Sequence, residues 1–253
     1  MNSKIVIIGS GNVATHLDKA FNDAGHDVTR IPSRTAAYDL PPCDFIIIAV
    51  KDDSIADVAR KVAEATARND SENFRQTIVA HTSGGVGIES LTDALPSDRL
   101  CGVFYPLQTF SRDVDMGYSD IPFLIEGISE TAAQRLSDLA STVSNDVREA
   151  DSNVRKDYHI GAVLACNFTN HLCTLADDWL TSRDLDFRVL LPLLHRTLAK
   201  LDTTPPADAQ TGPAARHDDT VVERHLDRLS TQPATAEIYR LMTDSIRRRH
   251  PKV

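Results

Sequence analysis

Residues 4–35 constrain the fold most, because a short apolar run, a glycine turn and an amphipathic helix follow one another there. Residues 5–8 are wholly apolar, as expected of a strand buried on both faces of a parallel sheet. Gly9, Gly11 and Ala14 then form a G-x-G-x-x-A pattern. Gly9 permits a tight turn, Gly11 lets the backbone approach a pyrophosphate, and Ala14 lets the helix pack closely. This stretch predicts a dinucleotide-binding α/β unit, with an ordinary tight turn as the alternative.

The predicted turn and the start of its helix supply the candidate pyrophosphate ligands. Backbone N–H groups at a helix N-terminus are free, and the helix dipole is positive there, so that anions bind favourably. The residues placed at this position are Gly9, Ser10, Gly11, Asn12 and Val13.

The end of the second predicted strand indicates which dinucleotide binds. NAD-binding units usually carry an acidic residue there, which accepts a hydrogen bond from the ribose. This chain has no acidic residue between Val28 and Tyr38, and it has Arg30, Ser33 and Arg34 instead. A guanidinium can hold a 2′-phosphate through two parallel hydrogen bonds. We therefore predict NADP, with Ser33 and Arg34 at its 2′-phosphate; the alternative is that these arginines are ordinary solvated surface.

Composition narrows the class of protein. The 253 residues carry a net charge of -9, which argues against a nucleic-acid partner. No segment approaches the roughly 20 apolar residues that span a bilayer, so no membrane partner is expected. The four cysteines show no C-x-x-C spacing, which favours a reduced, cytoplasmic protein. No spacing of His, Cys, Asp or Glu suggests a metal site.

Further apolar runs at 44–50, 77–81, 100–105 and 121–125 alternate with helical patterns. This alternation predicts a Rossmann-type, doubly wound parallel sheet in residues 1–152. From residue 153 to 253 the period is helical, which predicts an all-α domain. Pro192 is expected to kink a helix there.

A polar row lies on the first long helix of this second domain. On an uninterrupted α-helix, His159, Asn167, Asn170 and His171 fall within about 120° of one another. They either bind a substrate or bond to neighbouring helices. Apolar faces at 158–179 and 238–246 exceed what one small bundle covers, and they predict a homodimer.

Six motifs spread over nearly the whole chain carry a family resemblance. They are GSGNVA, AVKDDSI, HTSG, YPLQTF, NFTNHL and QTGPAARHD. With them the chain resembles bacterial proteins that join a Rossmann-like domain to a C-terminal helical domain of unknown function and are described as NADP oxidoreductases. The wider kinship is with pyrroline-5-carboxylate reductase, ketopantoate reductase, the β-hydroxyacid dehydrogenases and 6-phosphogluconate dehydrogenase-like proteins.

The resemblance implies hydride transfer to or from a small carbonyl or imine substrate held between two domains. Ala49, Val50 and Lys51 would line the nicotinamide half of the cofactor. The implied catalytic residues are His81, Tyr105, Asn167 and Asn170, and the implied substrate-binding residues are Gln108 and Arg216. The alternative, purely structural roles are loop bridging for His81, aromatic packing for Tyr105 and a surface salt bridge for Arg216.

The chain departs from the β-hydroxyacid dehydrogenases at one position. Their catalytic lysine precedes an asparagine by three or four residues. If that asparagine matches Asn170, then the position of the lysine is occupied here by Cys166 or Asn167. Neither side chain can replace an ammonium as proton donor, which favours imine reduction over hydroxyacid oxidation. The alternative function is a sensor or scaffold that binds NADP without turnover.

Overall fold

A computed structural model describes residues 2–68, 72–112, 114 and 116–252 of the chain. The chain divides into two compact units, Met1–Asn167 and Phe168–Val253. The boundary expected from the sequence, between residues 152 and 153, stays a prediction.

The first unit is built on one sheet, in which the described residues form seven strands. These are β1 (Lys4–Ile8), β2 (Asp27–Ile31), β3 (Phe45–Ile48), β4 (Ile78–His81), β5 (Cys101–Pro106), β6 (Phe123–Gly127) and β7 (Val147–Glu149). Their order is β2-β1-β3-β4-β5-β6-β7. The Rossmann-type fold is confirmed, with one refinement: β6 runs antiparallel to β5, so the sheet is mostly rather than wholly parallel.

Helices cover both faces of this sheet. They are α1 (Asn12–Asp23), α2 (Ile55–Arg68), α3 (Glu72–Arg75), α4 (Glu89–Thr92) and α5 (Glu130–Ala140); a further helix of this unit, α6 (Ser152–Ala162), follows β7. Side chains alternate along β1, so Ile5 and Ile7 pack in the α1 layer, while Val6 and Ile8 pack in the α2 layer. A 3₁₀ turn, Asp52–Ser54, precedes α2, and a π-helical turn, Val163–Asn167, follows α6.

The second unit is all-α in its described residues, as predicted. Its helices are α7 (Phe168–Thr181), α8 (Leu191–Ala199), α9 (Asp219–Arg228) and α10 (Pro233–Arg249), with 3₁₀ turns at Phe187–Leu190, Lys200–Asp202 and Leu229–Thr231. The expected kink at Pro192 is wrong. This proline lies in the first turn of α8, where its missing N–H breaks no helical bond.

Two features of the described residues bear on possible partners. No helix among them is long and apolar enough to cross a membrane. No group of three or more His, Cys, Asp or Glu side chains in this part of the chain is arranged to hold a metal ion.

Candidate functional site

The carboxyl ends of β1, β3, β4 and β5 open onto one cavity of about 1810 Å³. Its lining residues run from Ser10 to Asn167, so they belong to the first unit. This edge is where open α/β sheets bind ligands. The volume exceeds the roughly 300–1,000 Å³ of ordinary small-molecule pockets, which leaves room for a dinucleotide beside a small substrate.

The cavity brings together most of the residues that the sequence singled out. Except for Gly9, the predicted cofactor residues line it: Ser10, Gly11, Asn12, Val13, Ser33, Arg34, Ala49, Val50 and Lys51. Tyr105, Gln108 and Asn167 line it as well. Asn170 and Arg216 belong to the second unit and are exposed, so their assigned roles stay predictions.

The turn between β1 and α1 has the geometry of an anion cradle. Gly9 has φ 151°, and a Cβ built on it would lie 2.1 Å from the Ala49 carbonyl oxygen, so a larger residue cannot fit. A Cβ on Gly11 would meet nothing within 4 Å among the described residues. Gly11 also caps α1 without a side-chain bond, and the first turn holds no acidic residue. The free N–H groups therefore fit a diphosphate.

A loop after β5 fixes this turn in place. The Asn12 Nδ2 atom donates to the Phe110 carbonyl oxygen at 2.8 Å, and the Arg112 Nη2 atom donates to the Ser10 carbonyl oxygen at 2.9 Å. The amide of Asn12 is thus used within the protein, which leaves its backbone N–H as the group available to a ligand.

The residues after β2 form the second anion-binding candidate. Ser33 and Arg34 line the cavity, whereas Arg30 pairs with Asp18 at 3.4 Å instead. Lys61, which the sequence analysis missed, reaches the same part of the cavity from α2 and donates to the Thr35 carbonyl oxygen at 3.2 Å. Nothing local in the sequence marks Lys61, because its position depends on how α2 packs beside β2.

His81 is placed differently from the other candidates. It is fully buried, its Nδ1 atom accepts from the Ser83 N–H at 3.1 Å, and its Nε2 atom lies 3.3 Å from the Gly87 carbonyl oxygen. Burial, and then the positive charge of Arg155, lower the pKa of His81 to about 4, although the bond to Gly87 opposes this shift. The geometry favours loop bridging by a neutral ring; a catalytic role for His81 stays a prediction.

Tyr105 contacts His159, which the sequence had placed only in the polar row. Its hydroxyl lies 3.1 Å from the Nδ1 atom of His159, which is 54 residues away on α6 and also lines the cavity. Burial raises the pKa of Tyr105; Arg155 opposes this, and the carboxylate of Asp52 adds to it. The phenol therefore stays protonated at neutral pH and can donate a hydrogen bond.

Comparisons with known proteins identify the family and the fold of the chain. A model of the family described as "Domain of unknown function (DUF2520)" matches residues 121–246. No curated protein matches the chain. A solved structure of a protein from Bacteroides fragilis, described as a putative NADP oxidoreductase, has 35% identity over 97% of this chain and 98% of that one, with a TM-score of 0.87.

Two further solved structures have the same fold at lower identity. A protein from Thermotoga maritima has 20% identity and a TM-score of 0.67, over 97% of this chain and 98% of that one. The pyrroline carboxylate reductase of Plasmodium falciparum, solved with NADP bound, has 12% identity and a TM-score of 0.58, over 99% of each chain.

Proposed function

This chain belongs to the family of Rossmann-fold proteins that carry the DUF2520 domain, and from that membership and its cavity we propose that it is an NADP-dependent oxidoreductase acting on a small carbonyl or imine. One observation carries the proposal. The cavity lined by Ser10 and Gly11 of the turn after β1 also contains a half-buried phenol, Tyr105, held against the imidazole of His159. A dinucleotide cradle and a proton donor in one cavity are what reduction of a C=N or C=O bond requires.

The cofactor assignment rests on charge as well as on the turn. The Gly9–Gly11 cradle would hold the diphosphate, and Ser33, Arg34 and Lys61 would surround a 2′-phosphate. The structures similar to this chain include one described as an NADP oxidoreductase and one solved with NADP bound, which agrees with this choice.

When bound, NADPH would supply the hydride that reduces the substrate carbon. Ala49, Val50 and Lys51 line the part of the cavity between the cradle and Tyr105. Tyr105 donates a proton from Oη to the nitrogen or oxygen of the substrate. Gln108 and Asn167, which line the cavity, would orient the substrate by hydrogen bonds.

The substrate class follows from what the chain lacks and from what its relatives do. If the asparagine of the β-hydroxyacid dehydrogenases matches Asn170, Cys166 or Asn167 stands in place of their lysine, and both of these side chains line the cavity. The fold is shared with a pyrroline carboxylate reductase. We therefore place imines before hydroxyacids among the candidate substrates.

Binding and turnover are tested in turn. The purified protein is titrated with NADPH and NADH, and is then incubated with NADPH and a panel of small imines and carbonyls while absorbance at 340 nm is followed. The proposal expects saturable NADPH binding and substrate-dependent loss of absorbance. Failure to bind NADPH would exclude the proposal; binding with no turnover across the panel would favour the sensor or scaffold alternative.

The second unit also supports a proposal about assembly. It exposes many large apolar side chains in the single chain: Phe168, Leu172, Leu185, Val189, Leu191, Leu193, Leu198, Leu201, Leu241 and Met242. Water-exposed apolar surface of this extent indicates an interface, and we propose that a second copy of the chain covers it. Light scattering should give twice the mass of the chain, and a monomer at micromolar concentration would exclude this.

A further inference from the structure

Tyr105 and His159 are within hydrogen-bond distance of each other, and a loop packs on both side chains. Their rings lie 6.0 Å apart between centroids, at 74°, with Oη facing Nδ1 at 3.1 Å. Gly84, in the loop after β4, packs directly on the pair. A Cβ on Gly84 would lie 2.6 Å from Tyr105 Cζ and 2.7 Å from His159 Nδ1. A larger residue at position 84 would therefore push the two side chains apart.

Arg155, one turn before His159 on α6, anchors this helix to the rest of the first unit. Arg155 is fully buried, pairs with the Glu126 carboxylate on β6, and donates from Nη2 to the Val86 carbonyl oxygen at 2.6 Å. Residues i and i+4 share a helix face, so anchoring Arg155 also sets the direction of His159. The imidazole is thereby held against Tyr105 by the sheet and not only by its own side-chain torsions.

Three elements around the Tyr105–His159 pair contribute groups of different charge. The turn after β3 brings the carboxylate of Asp52, α6 brings the cation of Arg155, and the loop after β4 brings Gly84 and Gly85, which carry no charge. The Tyr105 hydroxyl and the His159 imidazole thus lie side by side in the wall of the open cavity.

We infer that His159 is a positioning residue that orients the Tyr105 hydroxyl and reprotonates it after it has donated its proton. This inference rests on the proposed reductase function. When the Oη–H bond breaks and the proton goes to the substrate nitrogen or oxygen, the Nδ1 proton of an imidazolium passes to Oη. The neutral imidazole keeps its Nε2 proton and regains the other from water. One proton from solvent thus accompanies each hydride delivered to the substrate.

The first test needs neither cofactor nor substrate. Protein labelled with ¹³Cζ-tyrosine is followed by NMR from pH 5 to 8, the range in which imidazoles usually change charge. The Tyr105 signal is identified by its loss in Tyr105→Phe. It should move across this range in the parent protein and stay still in His159→Phe. A still signal in the parent, or the same movement in His159→Phe, would overturn the inference.

The second test asks whether His159 acts through Tyr105. Tyr105→Phe should lower turnover by about 10²–10⁴-fold while NADPH affinity is unchanged. His159→Asn, which retains a hydrogen-bond donor but cannot pass on a proton, should also lower kcat and flatten its pH profile. The double variant Tyr105→Phe/His159→Phe should be no slower than Tyr105→Phe.

Two outcomes would refute the mechanism. Additive losses in the double variant would show that His159 acts independently of Tyr105, and full activity in His159→Asn would show that it only orients the phenol. If the NMR signal moves as expected but no panel compound is reduced, the proton-sharing pair stands and the proposed reductase function is what fails.

Discussion

Burial of a neutral His81 makes the first unit sensitive to acid. The pKa of this imidazole falls from 6.5 to about 4 on folding, because burial and then Arg155 disfavour its charged form. Between these values the unfolded chain binds a proton that the folded chain does not, so the free energy of unfolding must fall as the pH falls. A difference of about 2.5 pH units, at about 1.4 kcal/mol each, gives a loss of about 3 kcal/mol between pH 7 and pH 4.

The perturbation that isolates this effect is His81→Asn. The amide oxygen can accept from the Ser83 N–H as Nδ1 does, and the side chain cannot be protonated. At pH 7 the variant should be less stable by about 1–3 kcal/mol, because the Gly87 carbonyl oxygen loses its partner. As the pH falls to 4, this difference should shrink by about 3 kcal/mol, since only the parent loses stability through the imidazole.

Hydrogen exchange of the β1, β3 and β4 amides, read by mass spectrometry, follows the first unit alone. Urea unfolding by circular dichroism gives a second measure. The matched control is His171→Asn, an exposed histidine of the second unit. Parallel stability curves for the parent and His81→Asn from pH 7 to pH 4 would refute the reasoning.

Three further substitutions test other parts of the account. Arg155→Met should lower the free energy of unfolding by about 3–5 kcal/mol, because it leaves the Glu126 carboxylate without its cation, and adding Glu126→Gln should restore part of the loss in denaturant titrations. Gly9→Ala should cost about 1–3 kcal/mol of stability and weaken NADPH binding, since its Cβ meets the Ala49 carbonyl; unchanged melting and affinity would contradict the cradle. Arg34→Asp should erase a preference for NADPH over NADH of about ten- to a hundredfold, and equal affinities in the parent would exclude that preference.

The sequence predicted the fold and most of the residues that line the cavity near the β1–α1 turn, because both depend on local patterns. The glycine turn, the apolar strand before it and the missing acid after β2 lie within residues 4–35, where spacing alone sets their geometry. The antiparallel β6 was missed because strand direction depends on the path of the chain between β5 and β6. Pro192 was misjudged because the start of α8 could not be located to within one turn.

The part of the cavity around Tyr105 could be predicted only in part, because tertiary packing and not sequence spacing brings its residues together. Tyr105 was recognised as a candidate, but its partner His159 stands 54 residues further along the chain. His159 appeared in a polar row calculated for an uninterrupted α-helix, whereas the structure has a π-helical turn at Val163–Asn167. Such turns occur often at functional sites, and no residue pattern in this segment marked one.

Transfer of deuterium from NADPH labelled at nicotinamide C4 would show whether the protein is a reductase. The protein is incubated with the hydride position deuterated and with the best compound of the imine and carbonyl panel, and the product is analysed by mass spectrometry. We expect one deuterium per product molecule and one NADPH consumed for each, and we expect Tyr105→Phe to form this product about 10²–10⁴-fold more slowly. NADPH that binds tightly but is never consumed, with no labelled product from any compound, would contradict it.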